Sequence, residues 1–358
     1  MSHTVEPLTG AGSHATEDPI TTPLPRPHIS REYSKRLLLF GGRASMDLAG
    51  KIARRLEVDL GQADLKTFAN GEVYCRYRES VRGADAFIIQ STAGNEAAGL
   101  TTNDALMELL LMADAAREAS AHRVIAVMPW YGYGRQDKKS APREPISARV
   151  VAKCLEGVGI DRVLTMDLHA GQVQGFFEVP VDHMTAMPML SNYFGDQSYP
   201  DEIVIVSPDA GRVKLARNFA QKLGVHWAVM EKDRPAHQVA VSGYVVGDVK
   251  GKTAVLVDDM IDTAGTLCAA AETLREAGAA RVIACATHGV FSGPAYERLA
   301  VANSGIEKIV VTDTIPLRPG APDNITVLSC SQTLGDSIRR IFTDSSVSEI
   351  FSGENQLF

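Results

Sequence analysis

Residues 255–266, VLVDDMIDTAGT, carry the strongest chemical signal in the chain. An apolar run delivers two carboxylates, Asp258 and Asp259, and then a small-residue loop that enters a helical pattern. Such a loop makes a phosphate cradle without a Walker lysine. Gly265 lets the backbone approach closely, Ala264 keeps the loop small, Thr263 and Thr266 offer hydroxyl donors, and free amides at a helix start favour an anion. Asp262 would repel phosphate directly, so it is expected to accept hydrogen bonds from the loop amides and fix their shape. Asp258 and Asp259 suit ribose hydroxyls or Mg²⁺, since both want oxygen acceptors. Neighbouring strand residues point to opposite faces, so one of the two acids can instead orient its surroundings. An ordinary acidic strand-to-helix turn is the bland alternative.

Five further stretches place polar residues after apolar runs or in turns. GYGRQDKK, residues 132–139, brings one Arg, two Lys and a Gln to the end of a strand pattern. Arg135 can fork onto phosphate oxygens or stack on a purine, and Gln136 can read a base edge through its amide and carbonyl; a solvated basic loop is the alternative. MDLHAGQVQGFF, residues 166–177, holds His169, and SPDAGR, residues 207–212, holds Asp209, each just past a strand pattern. An imidazole and a carboxylate supply two ligands for a partly hydrated Mg²⁺. The competing readings are a capping or core role for His169 and a plain helix start at Asp209. VMEKDRP, residues 229–235, puts Lys232 and Arg234 on one face if extended, where two cations would meet the charge on a transferring phosphoryl group. A solvated charge run is the alternative, and the one these letters alone favour. FANGE, residues 68–72, is an Asn-Gly turn with no chemical signature of its own.

The elements that would position these residues follow a βαβ rhythm from Arg36 onward. Short apolar runs predict strands at 37–40, 86–90, 123–128, 162–166, 203–206, 227–230, 254–257, 282–286, 309–312 and 325–328. Their unbroken hydrophobicity suits parallel strands covered on both faces. Amphipathic stripes predict helices over 103–116 and 266–277 between them. So many strands exceed one comfortable open sheet, which places a boundary within 181–200 and predicts two similar α/β halves. The expected division is 35–184, completed by 340–358, and 185–339. Ligands of such sheets sit beyond the carboxyl ends of the strands, where the residues above lie.

Composition bounds the rest. Thirty-six Lys and Arg against 43 Asp and Glu leave a net charge of −7 over 358 residues, which argues against a general nucleic-acid or acidic-membrane binder. No run approaches the ~18 apolar residues of a membrane helix. Cys75, Cys154, Cys268, Cys285 and Cys330 are scattered and form no CxxC pair, so neither a zinc knuckle nor a disulfide framework is expected, and a cytoplasmic location fits. Residues 1–34, with Pro19, Pro23, Pro25 and Pro27, read as a disordered tail lacking signal- or transit-peptide character, and its His3, His14 and His28 are too irregularly spaced to suggest a metal site.

The 255–266 segment resembles the phosphoribosyl-pyrophosphate motif of phosphoribosyltransferases and ribose-phosphate pyrophosphokinases, and with the other stretches the chain resembles the latter from about Arg36 to Phe351. The resemblance implies two phosphoribosyltransferase-like (Rossmann-like) domains, each a mostly parallel sheet flanked by helices. The implied reaction moves diphosphate from ATP to carbon 1 of ribose 5-phosphate, with AMP leaving. It assigns ATP to Asn70, Gly71, Glu72, Arg135 and Gln136, and ribose 5-phosphate to Asp258, Asp259, the 262–266 loop and Arg234. Mg²⁺ goes to His169 and Asp209, and catalysis to Lys232 with Arg234 in a mobile loop. A homohexamer regulated by phosphate and ADP near Arg82, Arg143, Ser346 and Phe351 is also implied. Arg43, Gly171 and His183 stand where the family more often carries other residues. A phosphoribosyltransferase and a catalytically silent regulatory relative are the alternatives.

Overall fold

The apolar runs fold into two mostly parallel sheets, in a computed structural model that describes residues 35–232 and 243–351. The proline-rich tail, Arg234 and the last seven residues lie outside the described residues. The first half contains β1 (Leu37–Gly41), α1 (Met46–Leu56), β2 (Ala63–Thr67), β3 (Val73–Tyr77), β4 (Asp85–Ile89), α2 (Thr102–Glu118), β5 (Arg123–Met128), α3 (Ser147–Gly157), β6 (Arg162–Met166) and β7 (Val181–Met184). Its sheet runs β1-β4-β5-β6-β7, every pair parallel, while β2 and β3 form a separate antiparallel hairpin.

The second half follows with α4 (Met187–Gly195), β8 (Ile203–Ser207), α5 (Val213–Leu223), β9 (His226–Lys232), β10 (Gly243–Val246), β11 (Thr253–Ile261), α6 (Gly265–Glu276), β12 (Arg281–Gly289), α7 (Ala295–Leu299), α8 (Val301–Ser304), β13 (Lys308–Thr312), β14 (Ile325–Leu328) and α9 (Ser331–Phe342). The sheet order is β10-β9-β8-β11-β12-β13-β14, parallel except for the β10/β9 edge. The chain reverses direction across this sheet at β8, which pairs with β9 on one side and β11 on the other. Such a reversal opens a crevice at the carboxyl ends of the two strands, the position at which α/β sheets hold ligands. Asp209 follows β8 and Asp258 and Asp259 lie in β11, so the topology brings them to one crevice.

The two sheets share a core. Leu39, Phe87, Ile125 and Leu164 of the first pack in one buried cluster with Ile205, Val255, Ile283 and Val310 of the second. Helix α9 belongs to the same cluster through Leu334, Ile338 and Ile341, beside Leu48 and Ile52 of α1, and Arg55 of α1 pairs with Asp336 at 3.1 Å. The expected division between residues 339 and 340 therefore falls inside a continuous helix, because its apolar stripe docks on α1 from both sides of that point. Ile338 is fully buried, so Ile338→Ala should cost about 2–5 kcal/mol of stability, checked by urea denaturation.

Among the described residues no helix is long and apolar enough to cross a membrane.

Candidate active site

Strand β11 runs four residues further than its apolar letters suggest and carries both aspartates inside it. Its ladder with β12 pairs Asp258 with Ala286 and Met260 with His288 but skips Asp259. The Asp259 amide turns instead to Asp258 Oδ1, at 2.8 Å. Strict alternation would send the two side chains to opposite faces, yet both line one cavity of about 250 Å³, with the β12 register unchanged on either side of Asp259. The same cavity is lined by Arg135, His169, Asp209 and Arg212 and by the loop from Asp262 to Thr266. Four stretches singled out by sequence thus converge on one pocket.

Asp259 is the buried member of the acidic pair, 7% exposed, and Asp258 keeps 31% of its side chain in solvent. Burial, reinforced by the neighbouring Asp259, pushes the Asp258 carboxyl above the usual carboxylate range, tempered by that exposure. Burial pushes Asp259 upward too, but the His169 hydrogen bond and the Arg212 charge outweigh it and hold Asp259 low. Asp258 is therefore the more accessible acid of the pair, and Asp259 the one that holds His169 and Arg212.

His169 Nδ1 lies 2.7 Å from Asp259 Oδ2 and 2.8 Å from Arg212 Nη2. A nitrogen cannot donate to the one and accept from the other at once; the ionised carboxylate favours the Nδ1–H form. That tautomer leaves Nε2, which has no partner among the described residues, as a lone pair. The loop carrying His169 is itself held in place. The buried His183 accepts from the Leu168 amide through Nε2 at 2.8 Å, and Asp167 Oδ2 accepts from the Ala186 amide at 2.8 Å and from Thr287 Oγ1 at 2.6 Å. Asp209 Oδ1 accepts from the amides of Gly211 and Arg212 at 2.8 and 3.2 Å, so one of its oxygens caps the short turn before α5.

The 262–266 loop corrects one expectation. Asp262 does not shape the loop amides; its Oδ2 accepts from Arg135 Nη1 at 2.6 Å, across 127 positions of sequence. A guanidinium is a stronger partner for a carboxylate than neutral amides, and the fold brings one within reach. The left-handed residue of the loop is Ala264, at φ 61°, rather than Gly265. Gly265 instead leaves room for Arg298, whose Nη1 would stand 3.2 Å from an added Cβ and donates to the Thr263 carbonyl at 2.9 Å. Helix α6 begins with no side-chain cap, so its first amides remain available to an anion.

Other expected residues lie elsewhere or show only their backbone. Gln136 is exposed, and its side-chain carbonyl accepts from Ser147 Oγ, leaving the amide to donate. Asn70, Gly71 and Glu72 form the exposed tip of the β2–β3 hairpin, with Gly71 at φ 90° and Asn70 Oδ1 accepting from the Glu72 amide at 3.2 Å; they are not among the residues lining the aspartate pocket. Lys232 ends β9, opposite Gly243. Since Val229 pairs with Ser207, the carboxyl ends of β8 and β9 leave the sheet on the same side, so Lys232 emerges at the edge that bears Asp209. Arg82, Arg143 and Ser346 are exposed, with no hydrogen bond or ion pair joining them among the described residues, and Phe351 ends a 3₁₀ turn. Arg212 is the pocket residue that sequence reasoning missed. Its signal was an arginine directly after the cap of SPDAGR, read there as a plain helix start.

Comparison with known proteins agrees with this geometry. Residues 37–159 match the N-terminal domain of ribose phosphate pyrophosphokinase, and residues 231–352 match the phosphoribosyl synthetase-associated domain. The ribose-phosphate pyrophosphokinase of Caldanaerobacter subterraneus subsp. tengcongensis is 48% identical over 321 residues, covering 89% of this chain and 99% of the relative. That of Nostoc sp. is 50% identical over 88% of this chain and 94% of the relative. The crystal structure of phosphoribosylpyrophosphate synthetase from Mycobacterium smegmatis superposes with a TM-score of 0.80 at 46% identity, covering 87% of this chain and 100% of that one. With the pocket assembled from the same stretches that carried the resemblance, the chain belongs to the ribose-phosphate pyrophosphokinase family.

Proposed function

We infer that the chain transfers the β,γ-diphosphoryl group of ATP to carbon 1 of ribose 5-phosphate, giving 5-phosphoribosyl 1-diphosphate and AMP for nucleotide biosynthesis. The observation that carries this reading is the pocket that unites the uncapped start of α6, the Asp258 carboxylate and the Arg135 guanidinium. A phosphoribosyltransferase would need the cradle but not Arg135 or Lys232. A silent relative would have lost site residues, and Arg135, His169, Asp209 and Asp258 all remain.

The chemistry asks for placement and charge more than for a covalent nucleophile. The α6 amides and the hydroxyls of Thr263 and Thr266 take the 5-phosphate, and Asp258 takes ribose hydroxyls. Arg135 exchanges Asp262 for the phosphates of ATP, and the Gln136 amide donates to the adenine edge. Lys232 and Arg234 meet the charge that grows as the anomeric oxygen attacks the β-phosphorus and AMP departs.

The residues fit Mg²⁺: a carboxylate-anchored histidine whose Nε2 has no partner among the described residues is a common metal-ligand arrangement, and among the described residues Asp209 commits only Oδ1. No group of three or more His, Cys, Asp or Glu positioned to hold a metal occurs among the described residues, which suits an ion that takes most of its oxygens from phosphates and water. When bound, the ion would neutralise phosphate charge. We further propose a cytoplasmic homohexamer in which Asn70, Gly71 and Glu72 serve ATP, with phosphate and ADP acting as effectors near Arg82, Arg143, Ser346 and Phe351. The family resemblance supports these assignments.

Incubation of the purified chain with ATP, ribose 5-phosphate and Mg²⁺ should release AMP only when all three are present. Release of ADP, or no AMP under any condition, would refute the activity. Arg135→Ala should raise KM for ATP by about 10–100-fold, the loss of one charge-assisted hydrogen bond. Because the Arg135–Asp262 pair is 58% and 27% exposed, unfolding free energy should change by less than about 1 kcal/mol.

A further inference from the structure

Arg212 occupies the centre of the acidic end of the pocket. Its Nη2 lies 2.8 Å from Asp259 Oδ1 and 2.8 Å from His169 Nδ1, and its Nε lies 3.3 Å from Asp258 Oδ1. Two of these are carboxylate oxygens, one from each paired acid, hard donors of the kind divalent cations take with water completing the shell; the protonated Nδ1 offers a cation nothing. The side chain is 20% exposed, so water screens its charge only in part, and a guanidinium does not lose its proton in a protein. Its backbone is fixed as well, because Asp209 Oδ1 accepts from its amide at the start of α5.

We infer that Arg212 is a resident cation of this pocket, a positioning residue that holds the place a divalent ion would otherwise take between Asp258 and Asp259. The inference deepens the proposed activity and rests on that reading of the pocket. Its physical basis is exclusion: an ion arriving at the aspartate pair must displace the guanidinium or share the carboxylates with it at close range. Ions bound through His169 Nε2 and Asp209 Oδ2, neither of which has a partner among the described residues, would face no such competition. The paired acids are thereby kept compatible with anionic substrates by the chain itself, and His169 and the guanidinium share the Asp259 carboxylate as their common acceptor.

The test reads metal binding without turnover. Mn²⁺ is titrated into the metal-stripped full-length chain without nucleotide, and free Mn²⁺ is followed by electron paramagnetic resonance. Arg212→Ala should bind one additional Mn²⁺ per chain, or bind Mn²⁺ at least about tenfold tighter than the unaltered chain, as expected for removing a like charge at contact distance. Arg212→Lys, which keeps the charge, should remain within about threefold of the unaltered chain. Adding Asp259→Asn to Arg212→Ala should abolish the gain. Unchanged or weaker binding in Arg212→Ala, an equal gain in Arg212→Lys, or a gain that survives Asp259→Asn would overturn the inference. Should truncation lower the folded yield, Arg212→Met retains the bulk and gives the same reading. AMP release by the unaltered chain tests the activity separately, so failure of one is distinguishable from failure of the other.

Discussion

Lys232→Ala is expected to lower turnover by about 10²–10³-fold while KM for ATP stays within about threefold. The expectation follows from where the residue sits and when its charge is needed. Lys232 is the last residue of β9, at the same sheet edge as Asp209, and leads into the segment that holds Arg234. On the proposed assignments Arg135 and a phosphate-bound ion would supply the positive charge that holds ATP in the ground state, so a cation there would add little to it. Its contribution grows as negative charge shifts between the attacking oxygen, the diphosphoryl group and AMP. A loss confined to kcat would place Lys232 at the transition state; near-normal turnover would remove it from that role, and a rise in KM alone would make it a binding residue. Steady-state kinetics with both substrates varied distinguishes these outcomes.

Asp259→Ala should cost about 3–5 kcal/mol of stability, because it strips the shared anion from His169 and Arg212 in a buried site. Its oxygens lie 2.7 Å from His169 Nδ1 and 2.8 Å from Arg212 Nη2, and the side chain is 7% exposed. The pH dependence has a definite sign. Its carboxyl is held below the ordinary value of 3.8, down to about 2, so the stability it contributes is complete above the ordinary value and lost as acid titrates the folded form. The difference between the unaltered chain and the variant should therefore persist at neutral pH and shrink below about pH 4. Asp258 has the opposite sign, being raised, and favours the folded state most when protonated. Chemical denaturation at a series of pH values checks both; a difference that grew toward acid pH would contradict the assignment of the anion to Asp259.

What sequence could and could not reveal divides along physical lines. Strands β5 and β6 were legible to the residue because parallel strands buried on both faces are written as nearly unbroken apolar runs, and the half-buried edge strand β14 was legible from ITVL itself. The β2–β3 hairpin was not, because ADLKT and VYCRY are half-exposed and mix charges with apolar residues. The edge strand GYVV, opened by a glycine, and VDHM, which carries an Asp and a His, offered no apolar run to stand out. The cradle at 262–266 was visible as chemistry. Its partners were not: the ion pair of Arg135 with Asp262, and the triangle of His169, Asp259 and Arg212, join residues far apart in sequence that only the fold brings together. For Lys232 and His169 the letters left two readings open, and the family resemblance, not spacing, supplied their roles.

The most direct measurement follows the anomeric oxygen. Ribose 5-phosphate labelled with ¹⁸O at its carbon 1 hydroxyl is turned over with ATP, and the products are examined by ³¹P NMR for the isotope shift. Attack of that oxygen on the β-phosphorus predicts label in the bridge between carbon 1 and the diphosphate, with unlabelled AMP. Label lost from the bridge, or AMP formed without a labelled diphosphate ester, would contradict the account.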